Sequence, residues 1–224
     1  MPTVLITGAN RGIGLEFVKQ YAADGWKVHA CCRNPAKAGA LKSLRSDIHI
    51  HELEVTDVAA LKALTKTITE PLDVVIANAG AGGKDAGDFG AIDYDAFSGL
   101  LRVNTLGPIA TLEAFTPNLK AAGGRFAAIS SNLGSIENAT GFAPAYSTSK
   151  AALNMAMKAY AAQLAPMGVA IAPFHPGWVR TDMGGSEAPT GAGESVSGLR
   201  REIARMKPTA SPRMVDYAGV VLPW

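Results

Sequence analysis

Tyr146 and Lys150 are the two residues of this sequence whose types and spacing point most directly to chemistry. They lie four residues apart near the start of a predicted helix over Ala145–Pro166, and such residues share one helix face. A nearby ammonium favours phenolate over phenol and lowers a tyrosine pKa from its ordinary value of about 10. We therefore expect Tyr146 to serve as a general acid or base at ordinary pH. Taken alone, the spacing also fits an exposed surface pair, so the neighbouring residues must decide.

Small and polar residues follow two of the predicted strands, at the edge of the sheet where ligands bind in open α/β proteins. The fifth strand ends at Ser130 and is followed by Ser131. A serine hydroxyl there can donate to a carbonyl oxygen as negative charge develops on it. After the fourth strand come Asn78, Ala79 and Gly80, which permit close approach to a flat ring or a ribose. Both segments are candidate parts of one site.

Asn104 is a polar side chain among the apolar residues of a predicted helix over Ala96–Lys120. An asparagine inside a helix is more often a packing or backbone-bonding residue than a catalyst. Its residue type and position therefore favour a structural role.

A glycine-rich turn joins the first predicted strand to the first predicted helix. It reads Thr7-Gly8-Ala9-Asn10-Arg11-Gly12-Ile13-Gly14. Glycines at such a turn let the backbone approach a phosphate, and the helix N-terminus offers free N–H groups and a positive dipole end. A glycine trio alone is a weak signal, but a strand before it and a helix after it are the context of a dinucleotide site. The turn is therefore predicted to cradle a pyrophosphate.

The end of the second predicted strand indicates which dinucleotide would bind. An acid there would accept hydrogen bonds from a ribose 2′-hydroxyl and would repel a 2′-phosphate. The sequence instead runs Cys31-Cys32-Arg33-Asn34. Arg33 could form a charge-assisted fork with a phosphate, and Arg11 of the glycine turn could close on the same group. Two arginines without an acid predict NADP(H).

Short β-rich runs alternate with helical stretches, which predicts βαβ units with right-handed crossovers. The predicted strands are Thr3–Thr7, Lys27–Cys32, Ile48–Leu53, Leu72–Ala77, Arg125–Ser130 and Val169–His175. The predicted helices are Gly14–Asp24, Pro35–Leu44, Asp57–Thr69, Ala96–Lys120 and Ala145–Pro166. Several strands are nearly continuous apolar runs, as expected when both faces of a parallel sheet are covered. We predict one α/β domain over residues 1–224, with a Rossmann-like doubly wound fold and a mainly parallel sheet.

The segment after the sixth predicted strand is polar. Gly184–Gly198 is rich in Gly, Ser, Glu and Thr, and Leu199–Lys207 is helical and charged in pattern. We place a substrate loop at about residues 183–207, although an ordinary surface loop would have the same composition. The substrate pocket is also expected to use Ala81–Phe89 and Glu137–Phe142. The side chains that favour an apolar or aromatic substrate are Phe89, Phe142, Trp178 and Met183.

Composition and charge limit the classes of partner. The chain is 48% hydrophobic and 18% charged, with a formal net charge of +2 and no concentrated basic stripe, so no nucleic-acid partner is predicted. No apolar stretch is long enough to span a bilayer and no signal-like region precedes the first strand, which predicts a cytoplasmic protein with no membrane partner. Cys31 and Cys32 are predicted to be small apolar fillers in a reducing compartment. We predict no metal site.

Taken together, these segments resemble a short-chain dehydrogenase/reductase of the classical type over almost the whole chain. The resemblance rests on Gly8, Gly12, Ile13, Gly14, Asn78, Ala79, Gly80, Asn104, Ser131, Gly134, Tyr146, Lys150, Pro176 and Gly177, all in the family's order. The text around Lys150, the run from His175 to Gly185 and the segment Asp216–Trp224 are similar to the C-factor-like and sniffer-like carbonyl reductase branch.

The resemblance implies a role for each matched residue. Tyr146 would exchange a proton with the substrate oxygen, and Lys150 would hold the nicotinamide ribose hydroxyls and lower the Tyr146 pKa. Ser131 would polarise the carbonyl, and Asn104 would anchor a water that links Lys150 to solvent, in place of the structural role above. The residues implied to line the cofactor are Gly8, Asn10, Arg11, Gly12, Ile13, Gly14, Arg33, Glu54, Val55, Asn78, Ala79, Gly80, Pro176, Gly177, Val179 and Thr181. Glu54 departs from the family's usual aspartate, which puts its contact with the adenine in doubt.

The predicted function is an NADP(H)-dependent oxidoreductase that reduces an aldehyde or ketone to an alcohol by hydride transfer. One alternative is an NADP(H)-binding signalling or sensor protein with little turnover, and another is an epimerase or dehydratase. The epimerase or dehydratase alternative is disfavoured because only about fifty residues follow His175. Family members often pair through the two long helices, so a homodimer or homotetramer is expected, with a monomer still open. The identity of the small-molecule substrate is not predicted.

Overall fold

The computed structural model describes residues 1–44, 46–82 and 86–224. Its strands are β1 Thr3–Thr7, β2 Lys27–Cys32, β3 Ile48–Glu52, β4 Val74–Ala77, β5 Arg125–Ile129, β6 Ala170–His175, β7 Met214–Asp216 and β8 Val221–Leu222. Its α-helices are α1 Gly12–Ala23, α2 Gly39–Lys42, α3 Val58–Thr67, α4 Tyr94–Leu101, α5 Gly107–Ala122, α6 Pro144–Leu164 and α7 Ala192–Arg205.

In the described part of the chain, the eight strands form one sheet in the order β3-β2-β1-β4-β5-β6-β7-β8. The pairs from β3 to β7 are parallel, and β8 pairs antiparallel with β7. The chain winds outward in both directions from β1 and β4, so the carboxyl ends of these two strands border a crevice. The predicted Rossmann-like doubly wound fold is confirmed.

Helices cover both faces of the sheet, and each strand sends alternate side chains into one of two cores. Leu5 packs on the face covered by α3, α5 and α6. Val4 and Ile6 pack on the opposite face, covered by α1, α2 and α7. Because helices cover both faces of the sheet, β1 is buried at every position, which explains the continuous apolar run Val4–Ile6 at its centre. The two cysteines are free and buried within this sheet, as the sequence predicts.

The predicted loop at 184–198 is wrong over its second half, because α7 begins at Ala192. Val196, Leu199 and Ile203 are fully buried at helical spacing in the core shared with α1. Ser195 is also buried and donates a 2.6 Å hydrogen bond to the Pro176 carbonyl. The polar composition concealed one apolar stripe, and that stripe is sufficient to dock the helix.

Two other predicted helices differ in detail. The predicted helix over Pro35–Leu44 is a 3₁₀ turn at Pro35–Lys37 followed by the short α2. The helix predicted over Ala96–Lys120 is divided into α4 and α5 by a π turn at Arg102–Leu106. Such turns often occur at functional sites, and this one contains Asn104. The strands β7 and β8 were not predicted, because three-residue and two-residue strands carry almost no periodic signal.

Candidate active site

The glycine turn, residues 7–14, has a shape that side chains would obstruct. Gly8 and Gly12 adopt φ values of 64° and 53°, in the left-handed region that favours glycine. A Cβ on Gly14 would lie 2.2 Å from the Gly8 carbonyl oxygen and 2.5 Å from Asn78 Nδ2. The first turn of α1 can pack against the end of β1 only because Gly14 has no side chain. This leaves the amide groups at the start of α1 facing the crevice, where they suit an anion.

Asn78 and Thr7 brace the glycine turn from the end of β4. Asn78 Nδ2 donates to the carbonyl oxygens of Thr7 and Gly8 at 3.0 and 3.1 Å. In return, Thr7 Oγ1 accepts hydrogen bonds from the backbone N–H groups of Asn78 and Ala79, each at 3.1 Å. The amide nitrogen of Asn78 therefore holds the turn in place, and its backbone and neighbours face the crevice.

A cleft of about 410 Å³ runs from the glycine turn to α6. The predicted site residues that line it are Gly8, Asn10, Arg11, Gly12, Ile13, Arg33, Glu54, Val55, Asn78, Ala79, Gly80, Tyr146, Lys150, Pro176 and Thr181. The predicted site residues outside its lining are Gly14, Asn104, Ser131, Gly177 and Val179. Of these five, Ser131 directly follows the lining residue Ser130 and contacts Tyr146 through its hydroxyl.

The two arginines predicted to read a 2′-phosphate lie at the open end of the cleft, and each faces an acid. Arg11 Nη1 is 3.1 Å from Asp182 Oδ2, and Arg33 Nη1 is 4.0 Å from Glu54 Oε2. The Arg33 side chain is 76% exposed. Pairs this exposed contribute little to stability, so both guanidinium groups are free to engage a phosphate.

Glu54 accepts hydrogen bonds from the backbone N–H and the hydroxyl of Thr56, both at 3.2 Å. Its carboxylate is thus held within the segment after β3 and turned towards Arg33. Both Glu54 and Val55 line the cleft at the position predicted for the adenine.

Lys150 is 5% exposed and projects from α6 into the end of the cleft. Its Nζ donates a 2.9 Å hydrogen bond to the Ile129 carbonyl oxygen and lies 5.7 Å from the centroid of the Tyr146 ring. Burial lowers the pKa of Lys150 to about 8, because it disfavours the charged form. The lysine predicted at the centre of the site is therefore an easily titrated group.

Tyr146 is half-buried, and burial raises its pKa above 10. A hydrogen-bonding contact with the Ser131 hydroxyl acts in the opposite direction. The expectation that Lys150 depresses the Tyr146 pKa is wrong for the free protein. The Lys150 ammonium is directed to the Ile129 carbonyl. Burial destabilises the Tyr146 phenolate by removing its hydration, and this effect outweighs the hydrogen bond with Ser131.

Asn104 is fully buried in the π turn, and its amide is satisfied by protein groups. Its Oδ1 accepts from Ala81 N at 2.8 Å, and its Nδ2 donates to the Ala81 carbonyl at 2.9 Å and to Ser149 Oγ at 3.0 Å. A Cβ on Gly80 would lie 3.3 Å from this Oδ1 and 3.8 Å from Lys150 Nζ. Asn104 is thus a backbone-bonding residue that fixes the segment after β4 beside Lys150. Its role as a water anchor remains a prediction.

Residues 2–191 match the family model for the short chain dehydrogenase. The chain belongs to the short-chain dehydrogenase family.

Individual relatives support the same assignment. C-signal from Myxococcus xanthus is 41% identical over 162 residues, which cover 71% of this chain and 97% of that protein. Carbonyl reductase Sniffer of D. melanogaster superposes with a TM-score of 0.94 at 33% identity, covering all of both chains. An NADPH-bound carbonyl reductase from chicken fatty liver has a TM-score of 0.90 at 32% identity and covers 100% of this chain and 99% of its own. The resemblance to the carbonyl reductase branch of this oxidoreductase family is thereby confirmed.

In this short-chain dehydrogenase, the segment after β6 closes one wall of the cleft. Gly177 has a φ of 84°, and a Cβ on it would lie 2.7 Å from the Tyr217 ring. Val179 is buried and forms an isolated parallel bridge with Thr190. A Cβ on Gly12 would lie 3.2 Å from the Thr181 methyl group. The segment is therefore fitted between the glycine turn and the β7–β8 hairpin.

The four side chains predicted to favour an apolar substrate are all exposed, and one of them, Met183, lines the cleft. Phe89, Phe142 and Trp178 lie outside that lining and are 97%, 69% and 56% exposed. Trp178 Nε1 donates a 2.7 Å hydrogen bond to the Gly184 carbonyl, which holds the indole beside this segment. Of the predicted pocket wall Ala81–Phe89, residues 83–85 lie outside the described part of the chain.

Several functional contacts come from residues that the sequence did not single out. Asp182 faces Arg11 from a position 171 residues later, and Asn154 bonds the segment that carries Ser131. The sequence could have indicated Asn154, because it lies four residues after Lys150, as Lys150 lies four residues after Tyr146. For Asp182 only the fold could reveal the pairing.

In residues 1–44, 46–82 and 86–224, no group of three or more His, Cys, Asp or Glu side chains is arranged to hold a metal ion. Within the same residues, no helix combines the length and the apolar character that crossing a membrane requires.

Proposed function

We propose that this short-chain dehydrogenase is an NADP(H)-dependent reductase that converts an aldehyde or ketone to an alcohol, with Tyr146 as the general acid. The observation that carries the proposal is that Tyr146 and Lys150 line one end of a cleft whose other end is the glycine turn, with the Ser131 hydroxyl hydrogen-bonded to Tyr146 beside that end. A phosphate cradle and a proton donor thus share one cavity.

The residues present suit the nucleotide. Gly8 and Gly12, which line the cleft, and the amides at the start of α1 suit a pyrophosphate, and Arg11 and Arg33 suit a 2′-phosphate. Relatives from the same branch include a carbonyl reductase with NADPH bound. The bound nicotinamide would supply the hydride that is added to the carbonyl carbon.

The chain's own residues would handle the oxygen. Ser131 donates a hydrogen bond to the carbonyl oxygen as it gains negative charge. Tyr146, whose raised pKa keeps it protonated, transfers its proton to that oxygen and completes the alcohol. The Lys150 ammonium beside the ring then stabilises the phenolate that remains.

The exposed apolar side chains Phe142, Trp178 and Met183 favour a small carbonyl compound with an apolar or aromatic group. We place the activity in the cytoplasm, which is consistent with two free buried cysteines.

Leu106 and Met155 are 56% and 64% exposed on the helical faces proposed to form a homodimer or homotetramer. Light scattering coupled to size-exclusion chromatography tests that assembly.

The decisive experiment is NADPH oxidation with a panel of aldehydes, ketones and quinones, followed by Tyr146→Phe on the best substrate. We expect turnover to fall about 100-fold or more with NADPH binding retained, because general acid catalysis contributes roughly 10²–10⁴-fold. Tyr160→Phe is the matched control, because this tyrosine packs on the same helix outside the cleft. Near-normal turnover by Tyr146→Phe refutes the proposal.

A second candidate function is an NADP(H)-binding sensor or signalling protein with little turnover. It is favoured by the 41% identity to C-signal. Retained NADPH binding without turnover across the whole panel would support this candidate over the reductase.

A further inference from the structure

Asn154 shares a face of α6 with the two residues at the centre of the site. It follows Lys150 by four residues and Tyr146 by eight, so all three project in nearly the same direction. Asn154 is 3% exposed and lies one helical turn deeper than Lys150, outside the lining of the cleft. It therefore does not touch a ligand in the cleft.

The amide of Asn154 bonds to the segment that carries Ser131, which we name the serine turn, residues 130–134. Ser130 Oγ donates to Asn154 Oδ1 at 2.6 Å, and Asn154 Nδ2 donates to the Gly134 carbonyl at 3.1 Å. The same Nδ2 contacts Met214 Sδ at 3.4 Å. One side chain therefore holds both ends of the serine turn and joins it to β7.

The serine turn lies directly on α6 at this point. A Cβ on Gly134 would lie 2.8 Å from the Lys150 carbonyl carbon and 2.9 Å from Asn154 Nδ2. Between the two anchored ends, Ser131 Oγ accepts from the Leu133 N–H at 3.2 Å and faces the Tyr146 hydroxyl. The position of Ser131 relative to Tyr146 thus depends on how the turn is fixed to the helix.

We propose that Asn154 is a positioning residue: it fixes the serine turn to α6 and so sets the separation between Ser131 and Tyr146. This inference rests on the proposed function, because it assigns Asn154 to the reaction that those two residues perform. Misplacement of a catalytic group by about 1 Å can cost roughly 100-fold in rate. Loss of Asn154 should therefore lower turnover much more than it weakens NADPH binding.

A buried asparagine elsewhere in the chain offers a matched control. Asn118 on α5 is also buried, and its Nδ2 donates to the carbonyls of Ile68 and Glu70 at 3.1 and 2.8 Å. It makes the same kind of bond without contacting the serine turn or the cleft. If Asn154 served only to satisfy buried backbone groups, Asn154→Ala and Asn118→Ala would behave alike.

The test compares Asn154→Ala with Asn118→Ala in three measurements: kcat, the Kd for NADPH, and hydrogen exchange of the amides in the serine turn. For Asn154→Ala we expect kcat to fall about 10- to 100-fold, the Kd to stay within about twofold because the glycine turn is untouched, and exchange at residues 131–134 to accelerate. For Asn118→Ala we expect a similar loss of thermal stability with unchanged kcat and exchange at the serine turn. Equal kcat values for the two variants overturn the inference.

Ser130→Ala breaks the same 2.6 Å bond from its other end and keeps the test valid if Asn154→Ala does not fold. We expect its kcat to fall about tenfold while that of Asn118→Ala is unchanged, and where Asn154→Ala folds, the double variant should lose little more, since residues sharing one interaction are not additive. Strictly additive effects argue against the inference. Failure of the proposed function is separately visible, because Tyr146→Phe would then keep its turnover.

Discussion

Lys150 Nζ donates a 2.9 Å hydrogen bond to the carbonyl of Ile129, the last residue of β5. The bond joins the helix that carries Tyr146 to the strand that ends beside Ser131. Lys150 is buried at this position, and burial lowers its pKa to about 8, whereas burial raises the pKa of Tyr146. As pH rises, Lys150 is therefore the first of the two to lose its proton in the free protein.

This order of titration predicts the alkaline limb of the pH profile. As pH rises through about 8, Lys150 becomes neutral and can no longer stabilise the Tyr146 phenolate, while Tyr146 itself stays protonated. We expect kcat/KM for NADPH in the reduction direction to fall about tenfold per pH unit above that point. With NADPH as the varied substrate, the pH dependence of kcat/KM reports the pKa values of groups in the free enzyme.

Lys150→Arg supplies the control for that profile, because a guanidinium stays protonated across the accessible pH range. Its activity should be lower throughout, since an arginine does not reproduce the bond to Ile129, but the limb near pH 8 should disappear. A limb that is unchanged in Lys150→Arg would assign the titration to another group.

Gly14→Ala should damage the nucleotide site. The added Cβ would lie 2.2 Å from the Gly8 carbonyl oxygen, so α1 and the glycine turn would have to separate. We expect the affinity for NADPH to fall at least about tenfold and the free energy of unfolding to fall by about 1–3 kcal/mol, the usual cost of overpacking. Isothermal titration and urea denaturation measure the two effects.

Gly39→Ala is the corresponding control, because a Cβ at Gly39 meets nothing within 4 Å. It adds the same methyl group at the start of α2 and should leave NADPH affinity unchanged. If Gly14→Ala binds NADPH as well as Gly39→Ala does, the glycine turn is not the phosphate cradle.

The parts of the site that the sequence predicted are those encoded by short, contiguous signals. The glycine turn lies within eight residues, and Tyr146 and Lys150 lie one helical turn apart, so local spacing alone brings their groups together. The alternation of strands and helices predicted the doubly wound, mainly parallel sheet. These features required no knowledge of which distant residues meet.

What could not be predicted depends on burial or on long-range contact. The direction of the Tyr146 pKa shift depends on how much water the folded chain removes. The pairing of Arg11 with Asp182 spans 171 residues. The start of α7 at Ala192 depends on α1 offering an apolar surface to Val196, and the short apolar stripe of α7 does not identify that partner.

Arg33→Ala should weaken NADPH binding and spare NADH. Removal of the guanidinium would delete a charge-assisted contact to the 2′-phosphate, worth about 1.5–3 kcal/mol or roughly 10- to 100-fold in Kd. The Glu54 carboxylate, now 4.0 Å from Arg33, would remain and repel the phosphate. Affinities for both nucleotides should be measured side by side by fluorescence titration.

Arg201→Ala is the control for this charge change, because Arg201 is exposed on α7 and does not line the cleft. Its Kd for NADPH should stay within about twofold of the parent value, as is usual for surface substitutions. Equal NADPH and NADH affinities in the parent protein would disprove the 2′-phosphate assignment.

A chain of side chains on β2 and β3 predicts how stability depends on acid. His29 contacts His51 through Nδ1 at 2.9 Å and Glu70 through Nε2 at 3.0 Å, and Lys27 forms an ion pair with the same carboxylate. Burial lowers the pKa of His51 to about 4 and also lowers that of His29. For Glu70, burial raises the pKa, but hydrogen bonds from Lys27 and His29 outweigh it and bring the pKa to about 2.

The direction in which the free energy of unfolding changes with pH depends on whether the folded or the unfolded state binds more protons. Between about pH 6.5 and 4, an unfolded His51 is protonated and the folded one is not, so the free energy of unfolding falls as pH falls, by up to about 1.4 kcal/mol per pH unit for one proton. Glu70 adds a loss of stability below its unfolded value of about 4.5. Burial also lowers the pKa of His175 to about 4, so that residue contributes in the same window.

His51→Gln isolates one part of this dependence, because a glutamine amide can still donate to His29 Nδ1 but does not titrate. When urea denaturation is measured from pH 7 to 4, the free energy of unfolding of His51→Gln should depend on pH less steeply than that of the parent, by up to one proton. His29 and His175 supply the pH dependence that remains. His49→Gln is the control, since that ring is exposed on the same strand and should leave the slope as it is. Parallel stability curves for His51→Gln and the parent would show that the histidine chain does not control the acid sensitivity.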